Sequence, residues 1–523
     1  MYESQNRFAA MNPTTPNPGA GGLPGAYTFA PQLGVRYFSP TYYGAWAPRF
    51  GAAYSVNPDL VIRASFGVLQ APPLDGTFGD STGFSGSKTL TTGNNGLPVM
   101  AWDTGWTNVP HPPDFDPAQN NGGGANIDGP NADHWSVANM WSLDIQKSFA
   151  RDFNFTVGYV GQNTHHMAGG YPANQVNPGY LAIPGVPGSQ NFSTTGSLLN
   201  AHFSDTLPLN QGGRGGAAAL AAAGYTVPFP GFEALYAPNS DTLAQALKPF
   251  PQYKNVSDVG NRLFGSNYNA LLVKAEHHFS HSFQYLVSYT FSKTLTNTNL
   301  TEEFGYGGPQ DAFNLGAEKY LAGFDIPQSL VMAYTYALPW GPGQRWMNHG
   351  FASNILGGWA TSGILSYYSG IPVVISAPNN LPLGNSRQSA EYLGGPITLA
   401  HSGKIVIGGT TGQGTTANPV THVLNPAAFG SPAAFTFGNA YILPSTRQAG
   451  YKGENISIFK RETFKERYIF ELRFDMINAF NRKDPTGLNG NITSPVTPAG
   501  GFGSYTGSAI GPRQCQFDAK ITF

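Results

Sequence analysis

The sequence predicts an all-β protein: an antiparallel transmembrane β-barrel wall of about eleven strands with long loops at one end. Three observations carry that expectation. Charged residues make up only 11% of the 523, against roughly a quarter in soluble domains. No stretch reaches the ~18 consecutive apolar residues of a membrane helix. Segments that alternate apolar and polar residues recur along the chain, and most of their connections are sorted into short and long.

A chain so poor in charge needs a surface that does not have to be wet. Its 13% aromatic content excludes a disordered polymer, which would be aromatic-poor and strongly charged. The net charge of −1, without a Lys/Arg run, excludes a nucleic-acid face. Cys515 is the single cysteine, so neither a disulfide framework nor a cysteine-rich metal centre is available, and no cofactor is expected. The opening residues show no charged segment followed by an apolar run, so no signal peptide is read there. In hydrocarbon every backbone polar group must be paired, which leaves helices or closed barrels as spanning structures. With no helix to cross it, a chain this apolar points to a barrel in outer-membrane lipid, in a Gram-negative cell outer membrane.

The strands follow from period-2 alternation. In 61–69, Ile62, Ala64, Phe66 and Val68 share a face opposite Arg63, Ser65 and Gly67. In 153–162, Phe153, Phe155, Val157 and Tyr159 oppose Asn154, Thr156 and Gly158. Leu271, Val273 and Ala275 oppose Lys274, Glu276 and His278, and Phe470, Leu472, Phe474 and Met476 oppose Glu471, Arg473 and Asp475. The expected strands are 45–54, 60–71, 134–148, 153–166, 267–280, 283–295, 323–339, 357–375, 451–464, 467–481 and 508–523.

Short connections fall at 55–59, 150–152, 281–282 and 465–467; long ones at 72–133, 167–266, 296–322, 376–450 and 482–507. Outer-membrane barrels keep short turns periplasmic and long loops outside. The loops are rich in Gly, Pro, Asn and Thr and are expected to be turns and mobile surface, with short helices in 212–224 and 240–250. Residues 1–44 are expected to be a truncated loop, and 45–523 the C-terminal half of a barrel. If residue 523 is periplasmic, alternation makes strand 45–54 run downward as well. Eleven strands then cannot close with an antiparallel seam, and the sequence is expected to be a fragment.

Several segments resemble the Oar-like TonB-dependent transporters. They are APRFGAAYSVNPDLVIRASFGV (47–68), ALKPFPQYKNV (246–256), SNYNALLVKAEHHFS (266–280), YLVSYTFSKTL (285–295), GFDIPQSLVMAYTYALPWG (323–341), GWATSGILSYYSGIPV (358–373), FELRFDMINAFNRKDP (470–485) and PRQCQFDAKITF (512–523). The last two are the most specific, although Asp475 and Ile477 depart from the pattern of the penultimate strand. The resemblance implies a barrel of about 22 strands around a plug. It further implies energised uptake of a large or scarce solute through the TonB complex, which would engage a plug absent from this chain. It also implies that Phe517, Ile521 and Phe523 on the closing strand are read by the barrel-assembly machinery.

Other motifs carry less. His165–His166 and His277–His278 sit on strands, where neighbours point to opposite faces and chelate poorly. Glu302–Glu303 fall in an expected loop, and Asp114 and Asp116 lack calcium-loop spacing. GQGTTA (412–417) lacks the strand–helix context of a dinucleotide loop, and no catalytic motif is found, so no enzyme is expected. A charge on the lipid face at mid-depth costs about 2–4 kcal/mol. Arg63, Lys274, Glu276, Glu471, Arg473 and Asp475 are therefore expected to line the lumen, against a plug or a solute. The alternative from another class is a surface structural or adhesive barrel binding glycan or protein.

Overall fold

The computed structural model describes residues 6–34, 42–72, 81–86, 100, 102–103, 105, 111–127, 132–149, 152–207, 213–258, 260–280, 282–298, 308–342, 344–401, 404–408, 414–464 and 468–523. Its dominant element is one antiparallel sheet whose strands follow each other in chain order. We label the eleven strands of that path β1 (Arg49–Asn57), β2 (Leu60–Ala71), β3 (Ser136–Phe149), β4 (Phe153–Met167), β5 (Phe264–Ser280) and β6 (Phe283–Thr296). The path continues through β7 (Gln328–Ala337), β8 (Trp359–Tyr368), β9 (Tyr451–Phe464), β10 (Tyr468–Ile477) and β11 (Gln514–Thr522). The short strand Tyr320–Leu321 adds to the end of β6. Each of the eleven expected segments carries one of these strands. The sheet is open: β1 and β11 are its two edges.

Local chemistry explains the elements. β6, FQYLVSYTFSKTLT, is dense in aromatic and β-branched residues that suit a pleated surface. The β1–β2 turn closes through an Asx contact, with the Asp59 N–H donating to Asn57 Oδ1 at 3.0 Å. Two glycines let rings lie flat on the sheet. Gly161 pairs with Trp141, and a Cβ at 161 would meet the indole at 2.3 Å. Gly363 pairs with Tyr334, where a Cβ would meet the ring at 2.6 Å.

Strand ends differ where side chains leave the ladder. The segment expected over 323–339 starts its strand only at Gln328, because Asp325 is held by the Thr294 N–H at 2.6 Å and by Arg447. The segment expected over 357–375 breaks after Tyr368, and Pro372–Val374 pairs instead with Ile442–Arg447. Four connections at one end are short, and the fifth, 338–358, is longer and contains the helix Phe351–Leu356.

The long loops correct one expectation. Instead of a mobile coat, their described parts are folded around apolar cores. One core gathers Phe192, Leu198, Leu199, Leu220, Phe232 and Leu243 from the connection between β4 and β5. A second gathers Ile375, Leu424, Phe429, Leu488 and Phe502 from the connections after β8 and β10. Val176 with Leu381 and Leu383 joins the two regions. Burial of apolar area drives this: loops this long contain enough Phe, Leu and Ile to bury, even with turn residues between them. The helices expected in 212–224 and 240–250 are Gly216–Ala222 and Leu243–Ala246, and Phe232–Tyr236 is a third.

Residues 9–29 form a hairpin, Ala9–Pro16 with Pro24–Phe29, outside the main sheet. It buries Met11, Tyr27 and Phe29 against Ala125, Ile127, Tyr253 and Val256. Beside it Gly124–Ile127 and Asn255–Asp258 pair in parallel.

Candidate functional site

Directly paired residues share a face of a sheet, so the register can be followed from strand to strand. Arg63 pairs with Asp144, Asp144 with Gly158, and Gly158 with Leu272, two residues from Lys274. Lys274 pairs with Ser288, Ser288 with Val331, Val331 with Ser366, and Ser366 with Gly453. Four residues along β9, Ser457 pairs with Asp475. All six charged residues singled out in the sequence therefore lie on one face. The other face carries Ile62, Phe66, Leu143, Tyr159, Leu271, Phe291, Ile458, Phe474 and Phe517 by the same ladder.

The charges on the polar face are matched locally. Arg63 Nη1 donates to Gln146 Oε1 at 2.6 Å and stands opposite Asp144. Lys274 Nζ is 2.9 Å from Glu276 Oε2. Arg473 Nε donates to both oxygens of Asp475 at 2.8 and 3.0 Å, and its Nη2 donates to Ser457 Oγ at 3.1 Å. The Ser457 hydroxyl in turn donates to Asp475. Across the edge pair, Arg473 stands opposite Asp518 and Glu471 opposite Lys520, alternating in sign. Opposite charges so placed contribute about 0.2–1 kcal/mol per pair. A cavity of about 450 Å³ lies over Ser362, Ser457, Arg473, Asp475 and Gln516. Ala333, Ile364 and Ile477 also line it, so its wall is part polar and part apolar.

A second set of polar residues ties the folded loops to the strand ends, and the alternation pattern gave no sign of it. Arg447 Nη2 is 2.6 Å from Asp325 Oδ2, and Arg482 Nε is 2.7 Å from Glu454 Oε1; both carboxylates are fully buried. Arg387 pairs with buried Glu318, stacks 3.5 Å over Tyr441 and donates to Ser389 Oγ at 2.6 Å. Burial raises the Glu318 carboxyl above its usual range despite the attraction of Arg387. Burial also pushes the Lys248 ammonium down to about 8. At Asp241 burial alone would raise the carboxyl. Hydrogen bonds from Ser204 and His202 outweigh it and hold the group below its usual range. His202 Nδ1 is 2.8 Å from Asp241 Oδ1, and the Ser204 N–H donates to Oδ2 at 2.6 Å.

The remaining motifs separate. His166 adopts φ 57°, which breaks the alternation at the end of β4 and brings its ring to 4.8 Å from His165 and 5.2 Å from His134. The expectation that these neighbours point apart is overturned there by the irregular backbone. Among the described residues no group of three His, Cys, Asp or Glu could hold a metal. His277 stacks on Tyr285 with centroids 5.4 Å apart, and its Nδ1 lies 3.0 Å from the Phe283 carbonyl. Asp114 and Asp116 cap their own turns. Glu302–Glu303 and part of 412–417 lie outside the described residues. On β11, Phe517 and Ile521 stand opposite Phe474 and Phe470 on the apolar face, and Phe523 follows with 86% exposure.

A meander of long antiparallel strands with one apolar and one paired-charge face defines an outer-membrane β-barrel wall. A family model for the outer membrane beta barrel domain matches residues 1–516, and the chain belongs to that family. Its place is the outer membrane of a Gram-negative cell. Among solved structures, the chain is similar to the outer membrane transporter YddB from Escherichia coli. The identity is 8% and the TM-score 0.39, over 91% of this chain and 40% of that one. It is also similar to the ferripyoverdine receptor of the outer membrane of Pseudomonas aeruginosa, at 9% identity and a TM-score of 0.36, over 95% and 35%. A third is the FrpB iron transporter from Neisseria meningitidis, at 7% and 0.34, over 91% and 39%. The chain thus spans 40% or less of each of these three proteins. No curated protein matches it by sequence.

Proposed function

We propose that this chain forms part of the wall of a TonB-dependent transporter of the Oar-like kind, for uptake of a solute too large or too scarce for diffusion. On this reading the polar face lines the interior, and Arg63, Lys274, Glu276, Glu471, Arg473 and Asp475 meet a plug or the solute. The folded loops cover the outer mouth, and strands beyond these eleven complete the wall. On the same reading TonB acts through a plug inside the completed wall, and no chemistry is performed on the solute. The observation that supports the reading is that all six charged residues share one face of the sheet, interspersed there with Leu272, Leu286, Val331 and Ile364, with Lys274 beside Glu276 and Arg473 beside Asp475. A barrel of eight strands fills its interior with side chains, whereas barrels of 16 or more enclose a channel or a plug.

Uptake in cells lacking the gene provides the test. Labelled siderophores, cobalamin, oligosaccharides and peptides are presented to wild-type, gene-deleted and uncoupler-treated cells. The proposal expects one probe class to accumulate in wild-type cells only. Equal entry of every class into all three would refute it.

One observation favours a second reading, a surface-binding barrel. The loops bury two cores of their own and offer a folded rather than a shifting surface. Under that reading a probe binds to wild-type cells and stays bound after uncoupling, without entering.

A further inference from the structure

The connection 338–358 is the exception among the turns at its end of the sheet, and its side chains are exceptional too. Trp346, Met347, Phe351, Ile355 and Leu356 are all exposed, Phe351 at 81%. The segment does not fold over the polar face. The Ile355 carbonyl accepts the Trp359 indole N–H at 3.0 Å and the Lys460 ammonium at 3.1 Å. Trp359 pairs with Lys460, and both stand in the row of Ile456, Ile458, Phe470 and Phe474, on the apolar face. The helix Phe351–Leu356 is thereby fixed outside the wall, at the short-turn end. The fold holds it there: Gly341, at φ 108°, packs so closely on Gly357 that a Cβ would meet it at 2.3 Å.

We propose that 338–358 is an interfacial anchor that lies on the phospholipid of the periplasmic leaflet, with Trp346, Phe351 and Ile355 in the boundary between headgroups and acyl chains. Its apolar surface continues the apolar face of the wall, which is already the lipid contact of an outer-membrane barrel. Its charge suits anionic headgroups: the segment contains Arg345 and His349 and no acid, and Glu462, which approaches it at Gly358, is 3.0 Å from Lys460. Arg345 lies 5.8 Å from the Trp346 ring, an arrangement in which cation and ring share one interface. Aromatic and basic residues together are what anchors at this depth use. The inference rests on the reading that the apolar face of the sheet meets lipid.

The test uses the full gene product, with Cys515→Ser and any cysteine outside these 523 residues likewise replaced by serine as background, in vesicles of phosphatidylethanolamine and phosphatidylglycerol. Single cysteines at Phe351→Cys and, within β9, Ile458→Cys carry a bimane label. The expected result is quenching of about twofold at both positions by brominated acyl chains, with protection from iodide, as for groups held at the headgroup boundary or deeper. Quenching by brominated lipid at 458 but by iodide alone at 351 would overturn the anchor and leave the wall intact. A label at 351 silent to both quenchers would place protein over the segment and would also overturn it. Loss of lipid quenching at 458 would sink the membrane-facing assignment itself.

Discussion

Leu271 and Leu272 are neighbours in the middle of β5, and the register puts them on opposite faces. Leu271 pairs with Tyr159 and Phe291 and is 42% exposed on the apolar side. Leu272 pairs with Gly158 and Thr290, in the row that contains Arg63 and Asp144. A Cβ at Gly158 would meet Asp144 Oδ1 at 2.1 Å, so that carboxylate already leans toward position 272. Substituting arginine at either position changes the same side chain in the same strand, so strand propensity cancels and only the surroundings differ. Leu271→Arg places a guanidinium in lipid at mid-depth, at about 2–4 kcal/mol. That is roughly a 30- to 700-fold shift in the folding equilibrium at 1.4 kcal/mol per decade. Leu272→Arg faces Asp144 and Thr290 and should change stability by less than about 0.5 kcal/mol. Urea titration of the full gene product in lipid vesicles, read by the gel-mobility shift of the unboiled barrel, measures both. Equal destabilisation, or a larger loss at 272, would refute the face assignment and with it the interior role of the six charged residues.

Other consequences concern the loops and the terminal strand. Arg387→Met should destabilise the folded loops by about 3–5 kcal/mol, because buried Glu318 loses its partner; adding Glu318→Gln should restore most of it, and limited proteolysis of 376–450 would show an equal loss in both if the pair did not matter. Asp241 has a depressed folded-state value, so its contribution is present at neutral pH and is lost as pH falls below ~3.9 and through that lower value. Asp241→Asn should then cost about 1–3 kcal/mol at pH 7 and flatten the acid limb, as read by hydrogen exchange in 168–263; an unchanged acid limb would count against the assignment. Deleting Phe523 from the full gene product should lower outer-membrane yield and raise periplasmic degradation, and normal yield would remove it as an assembly signal.

The strands were legible because each is decided locally. A half-apolar strand must alternate with period 2 whatever it pairs with, so VIRASFGVL and IFELRFDMI announced both their type and their two faces. That antiparallel order in the chain becomes neighbour order in the sheet also follows from short turns such as Asn57–Leu60, which leave no room for another partner. The bilayer setting came from composition, since 11% charge leaves too little to cover a wet surface. What the sequence by itself determined is therefore the wall, its faces and its membrane.

Tertiary structure decided the rest, because it depends on contacts that no local period encodes. Arg387 meets Glu318 across 69 residues and Arg447 meets Asp325 across 122, so the joints of the folded loops left no pattern in the chain. The loops' Gly, Pro and Asn mark turns, but whether turns enclose a core is settled only when Phe192, Phe232 and Leu243, or Ile375 and Phe502, arrive in one place. Residues 1–44 read in sequence as a truncated loop, and the hairpin at 9–29 shows only where Tyr27 and Phe29 pack with Tyr253 and Val256. The side of the wall on which 338–358 lies was decided by two hydrogen bonds to one carbonyl, at Ile355. Burial and pairing over long chain separations are set by the whole fold, and alternation reports only the residue next door.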